Sequence, residues 1–233
     1  MAVTFLEPGG DADFANIQLD NTLWGPSFGG APTVVTDFVH GGHKRSIKYR
    51  PGFSDRVQTP FGVVSDTGGR FSFYIYLNAL PSATTLFFLL RNNVDFTVVS
   101  LVLTSGGVLQ LWRGNIVTQI GSNGATLSTG TWYRISLAFT ITSSSVNRFE
   151  VFVNGTSSIS GTNVTSLNTA SNYFEIGNLD TDASLDFRSS DHYADNSSSL
   201  LDTGNIWVTA KRPNANGTTN GFTTRQPGPS FLT

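Results

Sequence analysis

The sequence contains no cysteine and very few of the residues that favour helices. Its 233 residues include no Cys and one Met, and glutamate occurs only at Glu7, Glu150 and Glu175. The absence of cysteine excludes disulfide frameworks, zinc–thiolate sites, iron–sulfur clusters and thiol nucleophiles. The scarcity of strong helix formers argues against a helical protein.

Charge is also scarce. Charged residues make up 13% of the chain, and 14 Lys+Arg nearly balance 16 Asp+Glu, which gives a net charge of −2. Non-specific nucleic-acid binding and attraction to anionic membranes both need dense Lys and Arg, so neither partner is expected. Apolar runs such as 86–90 are too short to cross a bilayer, and no membrane insertion is expected. The first ten residues lack the basic and apolar regions of a signal peptide, which predicts synthesis in the cytoplasm.

Strict alternation of apolar and other residues is abundant. In segment 70–77 one face carries Phe71, Phe73, Ile75 and Leu77, and the other carries Ser72, Tyr74 and Tyr76. Segments 133–141 and 149–153 alternate in the same way. Turn signals separate such segments, and Asn154-Gly155 is a preferred two-residue hairpin turn. The pattern predicts an all-β protein, an antiparallel two-sheet β-sandwich.

The chain shows no linker and no internal repeat. We expect a single domain over 1–212 and a polar Pro/Gly/Asn-rich C-terminal arm over 213–233. The segments 154–172 and 178–203, rich in Ser, Thr, Asn and Asp, are predicted to be long surface loops.

Six segments, taken in order, resemble the concanavalin A-like, laminin-G-like jelly roll. They are RFSFYIYL (70–77), TLFFL (85–89), GVLQLW (107–112), GTWYRIS (130–136), FEVFVNG (149–155) and FEIG (174–177). The ending, YADN (193–196) followed by TGNIWV (203–208), resembles a variant found in tailed-bacteriophage virion proteins, with Asn196 and Asn205 where Asp is usual. The resemblance covers about residues 33–212 and implies a fold, together with a habit of binding glycans or decorating virions.

The catalytic motifs are weak. Laminarinase-like glucanases that share the resembled fold carry Glu-x-Asp-x-x-Glu on one strand, whereas the glutamates here are isolated. The Gly-x-Ser-x-Gly match at 25–29 is followed by Gly-Ala-Pro, which favours a turn over a nucleophile at Ser27. His40-Gly-Gly-His43 also predicts a turn, and with His192 it is weak evidence for a triad or a metal site. No catalytic residue is predicted, and we expect the protein not to be an enzyme.

Aromatic residues outside the predicted core are candidates for glycan binding, because Trp and Tyr rings stack on the apolar faces of sugars. The candidates are Trp24, Trp112, Tyr74 and Tyr76. The alternative is that these rings cover a sheet edge or form an interface between proteins.

An acidic cluster supplies the candidate metal site. Its members are Asp180, Asp182, Asp186, Asp191 and Asp195. Calcium prefers oxygen ligands, so Ca²⁺ is the candidate cofactor, although Leu185 stands where an EF-hand loop needs glycine. The alternative is a solvated loop whose carboxylates keep the protein soluble.

Together these features predict a non-enzymatic bacteriophage virion surface protein, either a capsid decoration or a tail-associated structural protein. Its expected partners are other virion proteins and sister copies in a homo-oligomer. An exposed edge strand or aromatic face is stabilised when another protein surface covers it. The open alternative is a carbohydrate-binding lectin or host-receptor adhesin, with Trp24, Trp112 and the 180–195 loop at its site.

Overall fold

The computed structural model describes residues 3–7, 32–41, 46–59, 67–92, 96–142, 147–162, 173–196, 199–202, 204, 206–208 and 225–227. Every regular element in these ranges is a β-strand. The strands are β1 (Val3–Glu7), β2 (Thr33–Val35), β3 (Ser46–Tyr49), β4 (Arg56–Gln58), β5 (Gly68–Ala79), β6 (Thr85–Arg91), β7 (Thr97–Leu103), β8 (Leu109–Arg113), β9 (Thr118–Ile120), β10 (Trp132–Ile141), β11 (Asn147–Val153), β12 (Thr156–Gly161), β13 (Tyr173–Gly177), β14 (Asp186–Asp195), β15 (Ile206–Val208) and β16 (Arg225–Pro227).

Two antiparallel sheets face each other across one core. The eight-stranded sheet has the order β12-β11-β10-β5-β14-β3-β2, with β1 also paired to β14. The six-stranded sheet has the order β4-β13-β6-β7-β8-β9. This architecture confirms the predicted all-β antiparallel sandwich. In the part of the chain that the structure describes, no helix is long and apolar enough to span a bilayer.

The predicted alternation decides which side chains enter the core. Phe71, Phe73, Ile75 and Leu77 of β5 are fully buried between the sheets, and Phe71 stacks on Phe174 of the opposite sheet at 4.3 Å between ring centroids. The hairpin prediction is also confirmed. Asn154 and Gly155 both have positive φ, and they join Val153 to its partner Thr156.

The two predicted surface loops are wrong over 156–161 and 186–195, where the structure has strands, and residues 163–172, 197–198 and 203 lie outside the described residues. Strand β12 follows the Asn154-Gly155 turn directly, and β14 lies inside the segment 178–203. Every residue of β14 is buried, and the strand pairs with β5, β3 and β1. Its sequence, DFRSSDHYAD, shows little apolar alternation. Its polar side chains can nevertheless be buried, because ion pairs and hydrogen bonds within the protein replace their hydrogen bonds to water.

A β-bulge interrupts β14 opposite β5. The register shifts between Ser190 and Tyr193, and Asp191 inside the bulge has a φ of 52°. Left-handed backbone is costly for a residue with a side chain. Bulges bend a strand and change the direction of a side chain. This bulge lies where the Asp191 carboxylate contacts His40.

The C-terminal segment contains a short strand. Arg225–Pro227 lies within 213–233 and pairs with Ile206–Val208. The boundary of the predicted arm at residue 213 stays a prediction.

Candidate functional site

A group of stacked rings lies on the face of the eight-stranded sheet that points away from the core. We call it the aromatic patch, and its members are Phe38, His40, Tyr74, Tyr76 and Trp132. His40 stacks on Tyr74 with 3.6 Å between ring centroids, and Phe38 stacks on Tyr76 at 4.8 Å. Trp132 lies 5.4 Å from both His40 and Tyr76.

Strand register places three of these rings. Tyr74 and Tyr76 alternate with the core residues of β5, and Trp132 is the cross-strand partner of Tyr76 at the start of β10. Directly opposed residues on one sheet face bring their side chains into contact. The rings are half-buried, so their remaining surface is open to a ligand.

The loop after β2 supplies the other two rings. Residues 36–41 cross this face, where the Ser46 hydroxyl donates to the carbonyl oxygen of Phe38 at 3.3 Å. Phe38 has a φ of 47° and a ring that is 47% exposed. A bulky side chain rarely adopts left-handed backbone, so the loop presents this ring at an energetic cost.

His40 is held by Asp191. The Nδ1 atom of His40 lies 2.7 Å from Oδ2 of Asp191, and the side chains are 12% and 0% exposed. The two residues are 151 positions apart in the chain. A buried carboxylate at Nδ1 favours a proton on that nitrogen and directs the lone pair to Nε2.

Two buried arginines beside the patch are already neutralised. Arg134 donates to Asp202 through both terminal nitrogens, at 3.0 and 2.7 Å, and to the carbonyl oxygen of Gly204. Arg188 donates to Asp186 at 2.7 Å and to Asp37 at 2.8 Å. Each of these two guanidiniums therefore has a carboxylate partner.

The Tyr74 hydroxyl stays protonated well above neutral pH. Burial raises its pKa, nearby Arg134 lowers it, and the carboxylates of Asp191 and Asp202 raise it. A protonated phenol between a guanidinium and two carboxylates serves as a hydrogen-bond donor.

The predicted glycan residues separate. Tyr74 and Tyr76 lie together in the patch, but Trp112 lies on the outer face of the six-stranded sheet, against Leu86, Leu89 and Val102. Trp24 lies outside the described residues.

The five predicted calcium ligands do not form one cluster. Each carboxylate has its own protein partners. Asp180 accepts a hydrogen bond from the Leu86 amide, and Asp182 accepts hydrogen bonds from Ser82, Ser184 and Leu185. Asp186 is hydrogen-bonded to Asn78 and Arg188, Asp191 to His40, and Asp195 to Arg70 and Tyr193. Over the ranges that the structure describes, no three His, Asp or Glu side chains are arranged to hold a metal ion.

Sequence reasoning missed Trp132, Phe38 and the role of His40. Trp132 carried a usable signal, because it precedes the alternating segment 133–141 in the register of the outward residues. His192, which was considered with His40, turns inward. Its Nε2 atom forms a hydrogen bond with the Ser189 hydroxyl at 2.9 Å, and its ring lies nearly parallel to the Phe73 ring with 6.3 Å between centroids. His43 and Ser27 lie outside the described residues.

No known family model matches the sequence, and no curated protein matches it. Similar solved structures exist at low identity. An endo-β-1,4-glucuronan lyase from the fungus Trichoderma reesei has a TM-score of 0.56 and 13% identity, with 86% of this chain and 98% of the lyase covered. A carbohydrate esterase from the Shiga toxin-encoding bacteriophage phi24B has a TM-score of 0.56 and 10% identity, with 84% and 99% covered. Domain 4 of an arabinanase from Geobacillus stearothermophilus, solved with arabinotriose, has a TM-score of 0.53 and 17% identity, with 82% and 91% covered.

These structures are carbohydrate-active or carbohydrate-binding β-sandwiches, one of them from a phage. At such identities the likeness shows the fold, which is of jelly-roll type. The expectation that the protein is not an enzyme is corrected by this comparison, because a lyase and an esterase share the fold. The missing Glu-x-Asp-x-x-Glu motif therefore excludes one type of glucanase and not catalysis in general.

Proposed function

We propose that the protein binds a polysaccharide on the aromatic patch. The observation that carries the proposal is the contiguous set of half-buried rings on the outer face of the eight-stranded sheet. Flat rings beside charged hydrogen-bonding groups match the chemistry of a sugar, which has apolar faces and a rim of hydroxyls. Arg134, Arg188 and their carboxylates supply the polar groups at the edge of the patch.

The charge balance favours a neutral polysaccharide. Recognition of uronates or sulfates would draw on unpaired cations, and both described arginines at the patch are engaged by aspartates. Stacking on Trp132 and Tyr76 would then supply most of the affinity, with hydroxyl contacts setting orientation.

A glycan array followed by calorimetry tests the proposal. Trp132→Ala and Tyr76→Ala should each weaken binding by about 5-fold to about 150-fold, since loss of an aromatic stacking partner costs about 1–3 kcal/mol. Trp112→Phe and Phe96→Ala are matched aromatic controls away from the patch and should leave binding within about twofold. Equal losses in the patch variants and the controls would contradict the proposal.

The place of action belongs to the same proposal. We infer that the protein displays this face at the surface of a phage virion, as a capsid decoration or tail-associated protein with sister copies and other virion proteins as partners. The support is the resemblance of the ending 193–208 to phage virion proteins and the phage origin of one structural neighbour. Quantitative mass spectrometry of density-purified particles tests it. Hundreds of copies per particle would indicate a capsid decoration, a handful a tail component, and absence would overturn the virion assignment.

A further inference from the structure

Two strained backbone positions converge on His40. In the described residues, left-handed φ occurs at five residues other than glycine: Phe38, Ile116, Asn154, Thr181 and Asp191. Phe38 is two residues before His40, and Asp191 contacts its ring directly. Strained residues persist where the surrounding structure holds them, and they concentrate at functional sites.

The bulge in β14 places the Asp191 carboxylate at His40. Neighbouring residues of β14 either follow the ladder with β5 or turn inward, as His192 does beside Phe73. Asp191 instead leaves the ladder and meets Nδ1 of His40 on the outer face at 2.7 Å. A carboxylate that is 0% exposed costs free energy to bury, and the bulge brings this one into contact with the imidazole.

From this geometry we propose that His40 is the general base of an ester-hydrolysing centre that removes acyl groups from a neutral polysaccharide held on the aromatic patch. The inference rests on the proposed glycan binding. Asp191 is its positioning residue, because it fixes the tautomer that leaves Nε2 as the basic atom. A sugar stacked on Trp132 and Tyr76 would lie next to the imidazole, which is 5.4 Å from Trp132 between ring centroids.

The step uses water as its second reactant. Nε2 of His40 takes a proton from water while the water oxygen forms a bond to the acyl carbon of the ester. The carbon–oxygen bond to the sugar then breaks, and the leaving sugar oxygen takes the proton from Nε2. The products are a carboxylic acid and a free sugar hydroxyl, with no oxidant, reductant or metal required.

The charge that develops on the acyl oxygen has a donor close by. Tyr74 stacks on His40 and keeps its phenol proton. Its cross-strand partner Arg134, which is ion-paired with Asp202, lies on the same face. Preorganised donors of this kind stabilise an oxyanion more than they stabilise the uncharged ester.

The test measures binding and deacylation on the same preparations. Intact protein is incubated with O-acetylated xylan and O-acetylated glucomannan, and acetate release is followed together with affinity for each polysaccharide. His40→Gln should lower kcat about 10²–10⁴-fold, the usual contribution of a general base, which is a larger effect than its effect on affinity. Trp132→Ala should lower affinity and acetate release together, and Phe96→Ala should change neither.

The outcomes separate the two proposals. Binding without acetate release by the wild type, or full activity in His40→Gln, overturns the esterase centre and leaves the glycan-binding proposal standing. Absence of binding to any polysaccharide overturns both.

Asp191 has a separate readout. Asp191→Asn keeps the side-chain volume but no longer holds a proton on Nδ1, so kcat should fall about 10²-fold or more with KM nearly unchanged. A purely structural role would instead lower thermal stability and raise KM with kcat retained, which would contradict the positioning role.

Discussion

Arg70 and Asp195 form a buried ion pair across β5 and β14, with Nη2 of Arg70 2.5 Å from Oδ2 of Asp195. The Nε atom of Arg70 also donates to the carboxylate, and the Tyr193 hydroxyl donates to it at 2.6 Å. Both charged side chains are almost fully buried. The carboxylate that the sequence placed among calcium ligands is thus satisfied by protein donors, and its function is to hold the centre of the eight-stranded sheet together.

Removing this charge should destabilise the fold. Asp195→Asn leaves the Arg70 guanidinium buried beside a neutral amide, so the free energy of unfolding should fall by about 3–5 kcal/mol. Denaturant unfolding measures the change. Asp37→Asn is the control, since Asp37 pairs with an arginine but is 48% exposed, and it should cost less than about 1 kcal/mol. Equal effects would mean that the buried pair contributes no more than a surface pair.

The five dispersed aspartates give a second prediction. Their partners are amides, hydroxyls, His40 and arginines, so a chelator should leave the melting temperature of the wild type unchanged. Differential scanning calorimetry with EDTA and then with added Ca²⁺ checks this. A rise of several degrees on adding Ca²⁺ would show a cation site and contradict the assignment of these carboxylates to protein partners.

Prediction from sequence succeeded where side chains face a dry core. The alternation in β5, β10 and β11 identified the residues that are buried between the sheets. It failed for β14, whose outward residues Arg188 and Asp195 are buried in ion pairs. A run of polar residues is the expected signal of a surface loop. The local sequence does not distinguish such a loop from a central strand whose charged side chains form ion pairs with residues far away in the chain.

The candidate site was partly predictable for the same reason. Tyr74 and Tyr76 follow from period-two alternation within one strand. The contact between His40 and Asp191 joins positions 151 residues apart and depends on a bulge. Neither the pairing of β14 with β5 nor the irregularity in its register has a signature in a single sequence.

Asp182 should make the free energy of unfolding depend on pH in the acid range. Burial alone would raise its pKa, but hydrogen bonds from the Ser82 hydroxyl and the amides of Ser184, Leu185 and Ser82 lower the pKa to about 2. A carboxylate with a lowered pKa stabilises the fold above its ordinary value of about 3.9, and this contribution is lost as the pH falls towards 2.

Asp182→Asn should therefore flatten the pH dependence of unfolding between about pH 4 and pH 2. At neutral pH the variant should be less stable by about 1–2 kcal/mol, through weaker hydrogen bonds. Ser82→Ala removes one of the donors and should flatten the same region only in part. Unfolding curves at a series of pH values give the slopes, and an unchanged slope in Asp182→Asn would show that other groups titrate there.

Substitution of two glycines with nearly the same φ should separate the cost of backbone strain from the cost of a steric clash. Gly107 has a φ of +77°, and a Cβ there would clash with the carbonyl oxygen of Leu127. Gly130 has a φ of +80° with nothing within 4 Å of such a Cβ. Gly130→Ala should cost about 1–2 kcal/mol from left-handed strain alone, and Gly107→Ala should cost about 1–3 kcal/mol more because backbone must move. Similar losses in both variants would contradict the close approach between Gly107 and Leu127.

The salt dependence of glycan binding tests the charge balance of the patch. Arg134 and Arg188, the two described arginines at the patch, are each paired with aspartate, so neither is left unpaired to attract a charged polymer. Affinity for a neutral polysaccharide should then change by less than about twofold between low and high salt, because screening acts on exposed charges and not on stacking. Asp202→Asn would free the Arg134 guanidinium, and this variant should gain affinity for polyglucuronate that disappears at high salt. A steep salt dependence in the wild type would instead indicate an acidic polysaccharide, since only ionic contacts of the ligand with the protein are screened in this way.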